Sequence, residues 1–306
     1  MPFSLDDIPM LRTLRKQPWF CRARQYLPMA DLQCLDDRGH MPEANTVTVD
    51  WPARFKKPRV GIVPDFEPYP RWTKFCRLLQ NNGFDYGVYN IHKQDWIERA
   101  QEFDIVVNIW SCEAAALQEM REKYHFLETY MGKRTFPSPS HAMLYEDKKL
   151  EYYVARLHGI PFAQTYISQE KADALAMVDT LRFPVVSKLV PSSGSVGVEL
   201  VRSRKDARSI ARKAFSRQGR GTHNPYLRQK NYVFFQEFIP NDGYDIRVIV
   251  TGNNLFGYYR KTPQGDFRAS GMHMTEKRDL PPGAMHLALR MNSVVRSPVL
   301  VVDMVR

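Results

Sequence analysis

A chain of 306 residues that is 43% hydrophobic and 12% aromatic is long enough to bury more than one core, which excludes a disordered or fibrous protein. Its 44 basic and 33 acidic residues leave a net charge of +11, which favours a nucleotide, nucleic acid or anionic surface as partner without choosing among them. Cys21, Cys34, Cys76 and Cys112 lie far apart with no CxxC pair, against a zinc site or a disulfide framework. The opening MPFSLDDIPM lacks the apolar core of a signal peptide, and no apolar run is long enough for a membrane span, so a cytoplasmic protein is expected.

In chain order, residues 1–57 are rich in proline and scattered aromatics, which prevents long helices and suggests a segment lying on a neighbour's surface. From Arg59 to Pro139 apolar runs alternate with helical spacing. Val60–Val63, Phe84–Tyr89 and Ile105–Trp110 read as strands; Arg71–Leu79, Trp96–Phe103 and Ala114–Tyr130 read as helices. Thr135–Ser138 reads as a connector between this small α/β domain, residues 58–139, and a second one spanning 140–306. In the second, Ser140–Leu157 is helical, Phe162–Ile167 extended, Lys171–Leu181 helical, and Phe183–Leu189 a strand bearing Lys188. Ser192–Gly197 is a loop of small residues, Val198–Val201 a strand, Arg204–Gln218 a basic helix, and Gly219–Gln229 a polar loop. No internal repeat is found.

The most informative stretch is 231–271, NYVFFQEFIPNDGYDIRVIVTGNNLFGYYRKTPQGDFRASG. A β run ends in Gln236-Glu237, and a turn leads to a second run carrying Asp245 and Arg247. These are two residues apart and therefore on one face of a strand. Asn253-Asn254 returns the chain through Leu255–Tyr259 to Arg260-Lys261, with Arg268 beyond. Arg247, Arg260, Lys261 and Arg268 then share one sheet with few carboxylates, an arrangement that suits polyphosphate or is a solvated basic face. Lys188 with the small-residue loop after it is either a phosphate grip or a turn with an outward lysine; it is not a Walker pattern. Asp65 and Glu67 follow the first strand, where α/β sheets place ligands, and two carboxylates there could receive an amine. His273 and His223 read as loop histidines, and the basic run Arg202–Arg217 as a solvated face that could steer an acidic polymer.

The order of these pieces carries a resemblance. Asp147-Lys148 precedes a helix closed by Gly159-Ile160-Pro161. Then come Pro-Val-Val-Ser-Lys188 with its loop, Gln236-Glu237-Phe238-Ile239, Asp245-Ile246-Arg247, Arg260-Lys261 and Asp266-Phe267-Arg268. The series resembles the ATP-grasp superfamily over residues 59 to 306, within it the glutamate ligases that modify ribosomal protein and their glutathione-synthetase-like relatives. The DFRASG string is similar to ATP-grasp proteins of cell-surface polymer biosynthesis. The resemblance implies an α/β N-terminal domain followed by two α+β subdomains clamping ATP. It implies a ligase that makes an acyl phosphate from a carboxylate substrate and ATP, then an amide with an amine acceptor, using Mg2+.

It also implies residue roles. Lys148 and Lys188 would meet the ATP phosphates, and Ser193, Gly194, Ser195 and Val196 would close over them. Gln236, Glu237 and Phe238 would form the adenine hinge, and Asp245 would take the ribose. Arg247, Arg260 and Arg268 would hold the transferring phosphoryl group, and Asp303 the magnesium. The family's Glu-x-Asn metal motif would fall beyond Arg306, three residues past Asp303. With one carboxylate, weak metal binding is expected. The expectation is therefore a truncated ligase, with a non-catalytic nucleotide-binding or regulatory protein as the alternative. A nucleic-acid reader is not expected, since no aromatic single-strand platform is present.

Overall fold

The computed structural model describes residues 47–65, 71–108, 114–190, 197–222, 228–262 and 274–305. Ser193, Gly194, Ser195, Val196 and Arg268, with Glu67, His223 and His273, lie outside the described residues. The chain divides into two compact units between Tyr145 and Glu146. Among the described residues no helix is long and apolar enough to cross a membrane.

The first unit runs β1 (Val60–Ile62), α1 (Trp72–Asn81), β2 (Tyr86–Val88), α2 (Trp96–Ala100), β3 (Ile105–Val107), α3 (Ala114–Thr129), β4 (Arg134–Phe136) and α4 (Pro139–Leu144). Its sheet is parallel, in the order β2-β1-β3-β4. Strand alternation sorts its apolar residues. Val60 and Ile62 pack with Cys76 of α1, whereas Val63 and Val106 face Leu117, Met120 and Tyr124 of α3. The segment expected as a connector contains β4. Its three residues pair with β3, and Glu128 accepts hydrogen bonds from the Thr135 backbone N–H and hydroxyl, at 3.0 and 2.9 Å. So short a strand, bounded by Lys133 and Pro137, carries almost no periodic signal. Before β1, Val49 N–H donates to Asn82 Oδ1 at 2.6 Å and the Trp51 ring stands edge-on to Phe84, 5.3 Å away.

The second unit runs α5 (Lys148–Leu157), β5 (Thr165–Ser168), α6 (Lys171–Thr180), β6 (Val185–Ser187), β7 (Glu199–Val201), α7 (Arg204–Ala214), β8 (Arg220–Gly221), β9 (Arg228–Gln229), β10 (Val233–Glu237), β11 (Tyr244–Thr251), β12 (Asn254–Lys261), β13 (Thr275–Glu276), α8 (Pro282–Val295) and β14 (Val299–Val305). The helical stretch read over 140–157 is two helices. Glu146 adopts φ +57°, outside the right-handed helical region, and the Asp147 carboxylate then accepts from the N–H groups of Lys149 and Leu150 to start α5. The loop read over 219–229 holds the β8–β9 hairpin, and α7 stops at Ala214, short of the expected Gln218.

Two sheets organise this unit. One, ordered β5-β10-β6-β7, buries Val185, Val201, Val233 and Phe235 against Ala174 and Val178 of α6 and Ala207, Ile210, Ala211 and Ala214 of α7. The other, ordered β13-β12-β11-β14, buries Ile246, Val248 and Val250 against Ala284 and Ala288 of α8, a helix the periodicity did not announce. Arg290 of α8 donates to the carbonyls of His158 and Gly159 at the end of α5, at 3.2 and 2.9 Å.

Strand β11 leaves no room for a side chain on β12 at Gly257, where a Cβ would collide with the Arg247 carbonyl oxygen and press the Leu280 side chain at 3.1 Å. Gly257→Ala should therefore cost about 1–3 kcal/mol by overpacking and lower Tm by several degrees in a thermal melt. An unchanged melting curve would show that the two strands part there without strain.

Candidate nucleotide site

The β11 strand lies between β12 and β14, and its register sets Asp245 opposite Arg260 and Arg247 opposite Asp303. Alternation puts all four on the sheet face away from α8. Arg260 donates from Nε and Nη2 to Asp245 Oδ1 and Oδ2, at 2.7 and 2.6 Å. Arg247 does the same to Asp303, at 2.7 Å for both bonds, and Arg260 Nη2 also stands 2.8 Å from Asp303 Oδ2. The result is a continuous chain, Asp245–Arg260–Asp303–Arg247, with no net charge.

The expectation of a cationic sheet with few carboxylates to offset it is thereby corrected for Arg247 and Arg260. Arg247 and Arg260 each have a carboxylate partner. The two carboxylates assigned to ribose and magnesium, Asp245 and Asp303, are both engaged by guanidinium groups. Burial works to raise the Asp303 pKa, but the Arg247 hydrogen bonds and the Arg260 charge outweigh it and hold the carboxyl below its ordinary value. The Asp303 hydrogen bonds likewise raise Arg247.

A second cluster lies on the other sheet. Lys188 follows β6 on the same face as Val186, and its Nζ donates to Gln236 Oε1 at 2.5 Å. Gln236 is buried in β10 and passes its own Nε2 hydrogen to Thr165 Oγ1 at 2.9 Å. Burial, then the nearby Lys148 charge, lowers the Lys188 pKa to about 8, against the opposing pull of Glu151. Lys148 opens α5, 3.5 Å from Glu146 Oε2. Lys188 is thus a partly buried cation bonded to a neutral amide, and not the wet-face lysine of a hairpin. Glu151, whose own pKa burial raises, was missed from sequence; its spacing of three from Lys148 on one helix was the available signal.

At the end of β10, Glu237 N–H donates to Gln164 O at 2.8 Å and Phe238 N–H to Pro184 O at 3.4 Å. With both donors used inside the protein, backbone recognition of a base at these two residues would use carbonyl oxygens. Among the described residues no three His, Cys, Asp or Glu side chains gather as a metal cluster. Asp303 offers one carboxylate, a donor set that fits magnesium only when phosphate oxygens and water supply the rest.

The ladder gives a stability test. Arg260 and Asp245 are 8% and 13% exposed, so Arg260→Met should strand a buried carboxylate and cost about 3–5 kcal/mol in urea unfolding. Adding Asp245→Asn should recover much of that loss. A single variant as stable as the parent would mean that water already satisfies Asp245.

Residues 143–306 match the family model of the RimK-like ATP-grasp domain. Over 208 residues the chain is 24% identical to the alpha-aminoadipate–LysW ligase LysX of Saccharolobus solfataricus, covering 66% of this chain and 68% of that protein. The crystal structure of a RimK domain ATP-grasp protein from Sphaerobacter thermophilus is similar, with a TM-score of 0.57, 18% identity, and coverage of 81% of this chain and 86% of that one. D-alanine–D-alanine ligase from Bacillus anthracis complexed with ATP also gives 0.57, at 14% identity over 81% of this chain and 82% of that one. At such identities the structural likeness establishes the ATP-grasp fold. Because the family model spans more than half of its length, the chain belongs to the RimK-like ATP-grasp domain family.

Proposed function

We propose that the protein is an ATP-dependent carboxylate–amine ligase. The observation that carries this reading is the Lys188 ammonium, partly buried, bonded to a neutral amide and close enough to Lys148 for that charge to disfavour its own. A buried cation with depressed proton affinity beside a second positive charge is stabilised by a polyanion, and the triphosphate of ATP is the polyanion that the fold family employs. LysX and D-alanine–D-alanine ligase, both ligases by name, support the reaction class.

In this reading Lys148 and Lys188 bind the phosphates, and the Gln236–Phe238 end of β10 meets the base. Arg247 and Arg260, with Arg268, exchange their aspartate contacts for the transferring phosphoryl group. A magnesium ion brought with ATP would be held by Asp303 and would supply charge neutralisation on the phosphates. The carboxylate substrate takes the γ-phosphoryl group to become an acyl phosphate, and the amine acceptor displaces inorganic phosphate to leave an amide. The Arg247–Asp303 pairing favours a second reading, a nucleotide-binding protein that does not turn over, because metal and arginines compete for the same two carboxylate oxygens.

Calorimetry of ATP binding with and without magnesium separates them. Lys188→Ala should abolish binding in a protein that still folds; unchanged affinity would sink the site assignment. Asp303→Asn should remove only the magnesium-dependent part, and binding with no magnesium dependence in the parent would favour the second reading.

The pH dependence has a defined sign. Folded Lys188 gives up its proton near pH 8, whereas an unfolded lysine keeps it to 10.5. Between these values the unfolded chain binds more protons, so this group makes the free protein more stable as pH rises. The charged form that ATP meets is lost over the same range. ATP affinity should fall by up to about tenfold from pH 7 to pH 9 as the protonated fraction falls, and a flat profile would exclude Lys188 as a charge partner.

A further inference from the structure

Lys188 stands where the β6–β10 ladder ends. Its backbone N–H donates to Phe234 O at 3.1 Å, and since Ser187 pairs with Phe235, the same register would next set Val190 opposite Tyr232. But β10 begins only at Val233, and before it Asn231 adopts φ +57° and donates its N–H to Ala214 O of α7 at 3.0 Å. The Tyr232 carbonyl is taken by Gln229, whose Nε2 donates to it at 3.2 Å. Where the backbone pair is missing, the Tyr232 side chain takes over. Its hydroxyl accepts from Val190 N–H at 3.0 Å and donates to Val190 O, 3.3 Å away. One side chain thus meets both backbone groups of the residue two places beyond Lys188.

The ring of Tyr232 makes a second contact. Lys149 Nζ lies over it, 5.1 Å from its centre, within range of cation–π attraction. Lys149 follows Lys148 in the first turn of α5. Tyr232 therefore touches both segments that carry the proposed phosphate lysines, beside each lysine and not through it. Those lysines are pushed apart by their charge. Burial, and then Lys148, hold Lys188 below its ordinary pKa, while Glu151 of α5 pulls the other way. Burial raises the Tyr232 pKa, and Asp147 adds to this against Val190 N–H and Arg220, so the hydroxyl keeps its proton and both of its bonds at neutral pH.

We infer that Tyr232 is a positioning residue of the phosphate grip: it ties Val190 to Lys149 and so sets the spacing between Lys188 and Lys148 before a nucleotide arrives. Two like charges left untied would part, and the ligand would have to draw them together against their repulsion, with a loss of affinity. Held together in advance they present a doubled charge, which favours a polyphosphate over a single phosphate. This rests on the ligase reading and deepens it, because it names the residue that prepares the site for the triphosphate. The hydroxyl carries the tie on the Lys188 side and the ring carries it on the Lys148 side, so the two halves are separable by substitution.

Tyr232→Phe in the full chain is the test, because it removes the hydroxyl and keeps the ring against Lys149. Calorimetry with ATP reads the grip. Trace acetylation with acetic anhydride over the neutral to alkaline range, followed at Lys188 by mass spectrometry, reads the titration of that lysine with no ligand present. In the wild type the acetylation midpoint should lie near pH 8. In Tyr232→Phe it should move up towards the ordinary lysine value of 10.5 as Lys148 draws away, and ATP affinity should fall about tenfold with the two lost hydrogen bonds. Weaker ATP binding with an unmoved midpoint would make Tyr232 a structural residue only and overturn the inference. So would a raised midpoint with full ATP affinity, or a variant that matches the wild type in both. Wild-type protein that binds no ATP would overturn the ligase reading, and this inference with it, whatever the labelling shows.

Discussion

Two arginines and two aspartates sharing hydrogens across three adjacent strands set the terms for the rest of the second unit. Such a chain of charges is tolerable close to a core only when every member is paired, and here strand register does the pairing. Asp245 meets Arg260 across one side of β11, and Arg247 meets Asp303 across the other. A shift of β14 by one residue would send Asp303 to the α8 face and leave Arg247 without its partner. The apolar alternation of Ile246, Val248 and Val250 over α8 and the charged alternation above it are therefore two faces of one constraint. The close passage of Gly257 under the Arg247 carbonyl belongs to it as well, since a bulkier residue would part β12 from β11 at the ladder.

The two clusters of the second unit handle charge in opposite ways. On the β11 sheet each cation is matched by an anion, and the local field is small. Around Lys188 the matching is incomplete: Gln236 gives an uncharged oxygen, Glu151 is itself pushed toward its neutral form by burial, and Lys148 adds a second positive charge. A polyanion gains immediately from the second cluster, whereas the first must give up internal ion pairs before it can hold one. In the proposed function, binding and phosphoryl handling would thus be separated by chemistry, between lysines on one sheet and arginines on another.

Much of this was legible in the sequence because it is local. The spacing of Asp245 and Arg247, the turn at Asn253-Asn254 and the return to Arg260 fix a hairpin with its charges on one side, and Asp147 announces the start of α5. The partners were not legible. That Arg247 is bonded to a residue 56 positions away depends on β14 joining the far edge of β11, which no local pattern states. Counting charges along the hairpin showed few carboxylates for its arginines, because Asp303, which serves both Arg247 and Arg260, lies on β14 outside it. β4 was lost because three residues show no period, and α8 because its Ala-, Leu- and Met-rich sequence is nearly as apolar on one side as another. Tyr232 read only as part of a β run for a different reason: a tie between Val190 and Lys149 exists only once both segments are folded against it.

The bonds from Arg290 to the carbonyls of His158 and Gly159 have a mechanical consequence. They anchor the carboxyl end of α5 to the helix under the ladder sheet and supply a cation where the helix dipole is negative. Lys148 stands at the opposite end of the same ten-residue helix, about 15 Å from that anchor at 1.5 Å per residue. That end is held as well, since the Asp147 carboxylate caps it and the Lys149 ammonium stands 5.1 Å from the centre of the Tyr232 ring. The helix is therefore a rod braced at both ends, one end by the helix under the ladder sheet and the other by the segment that enters β10. In the proposed function, Lys148 would be offered to a phosphate from a position that both sheets fix together.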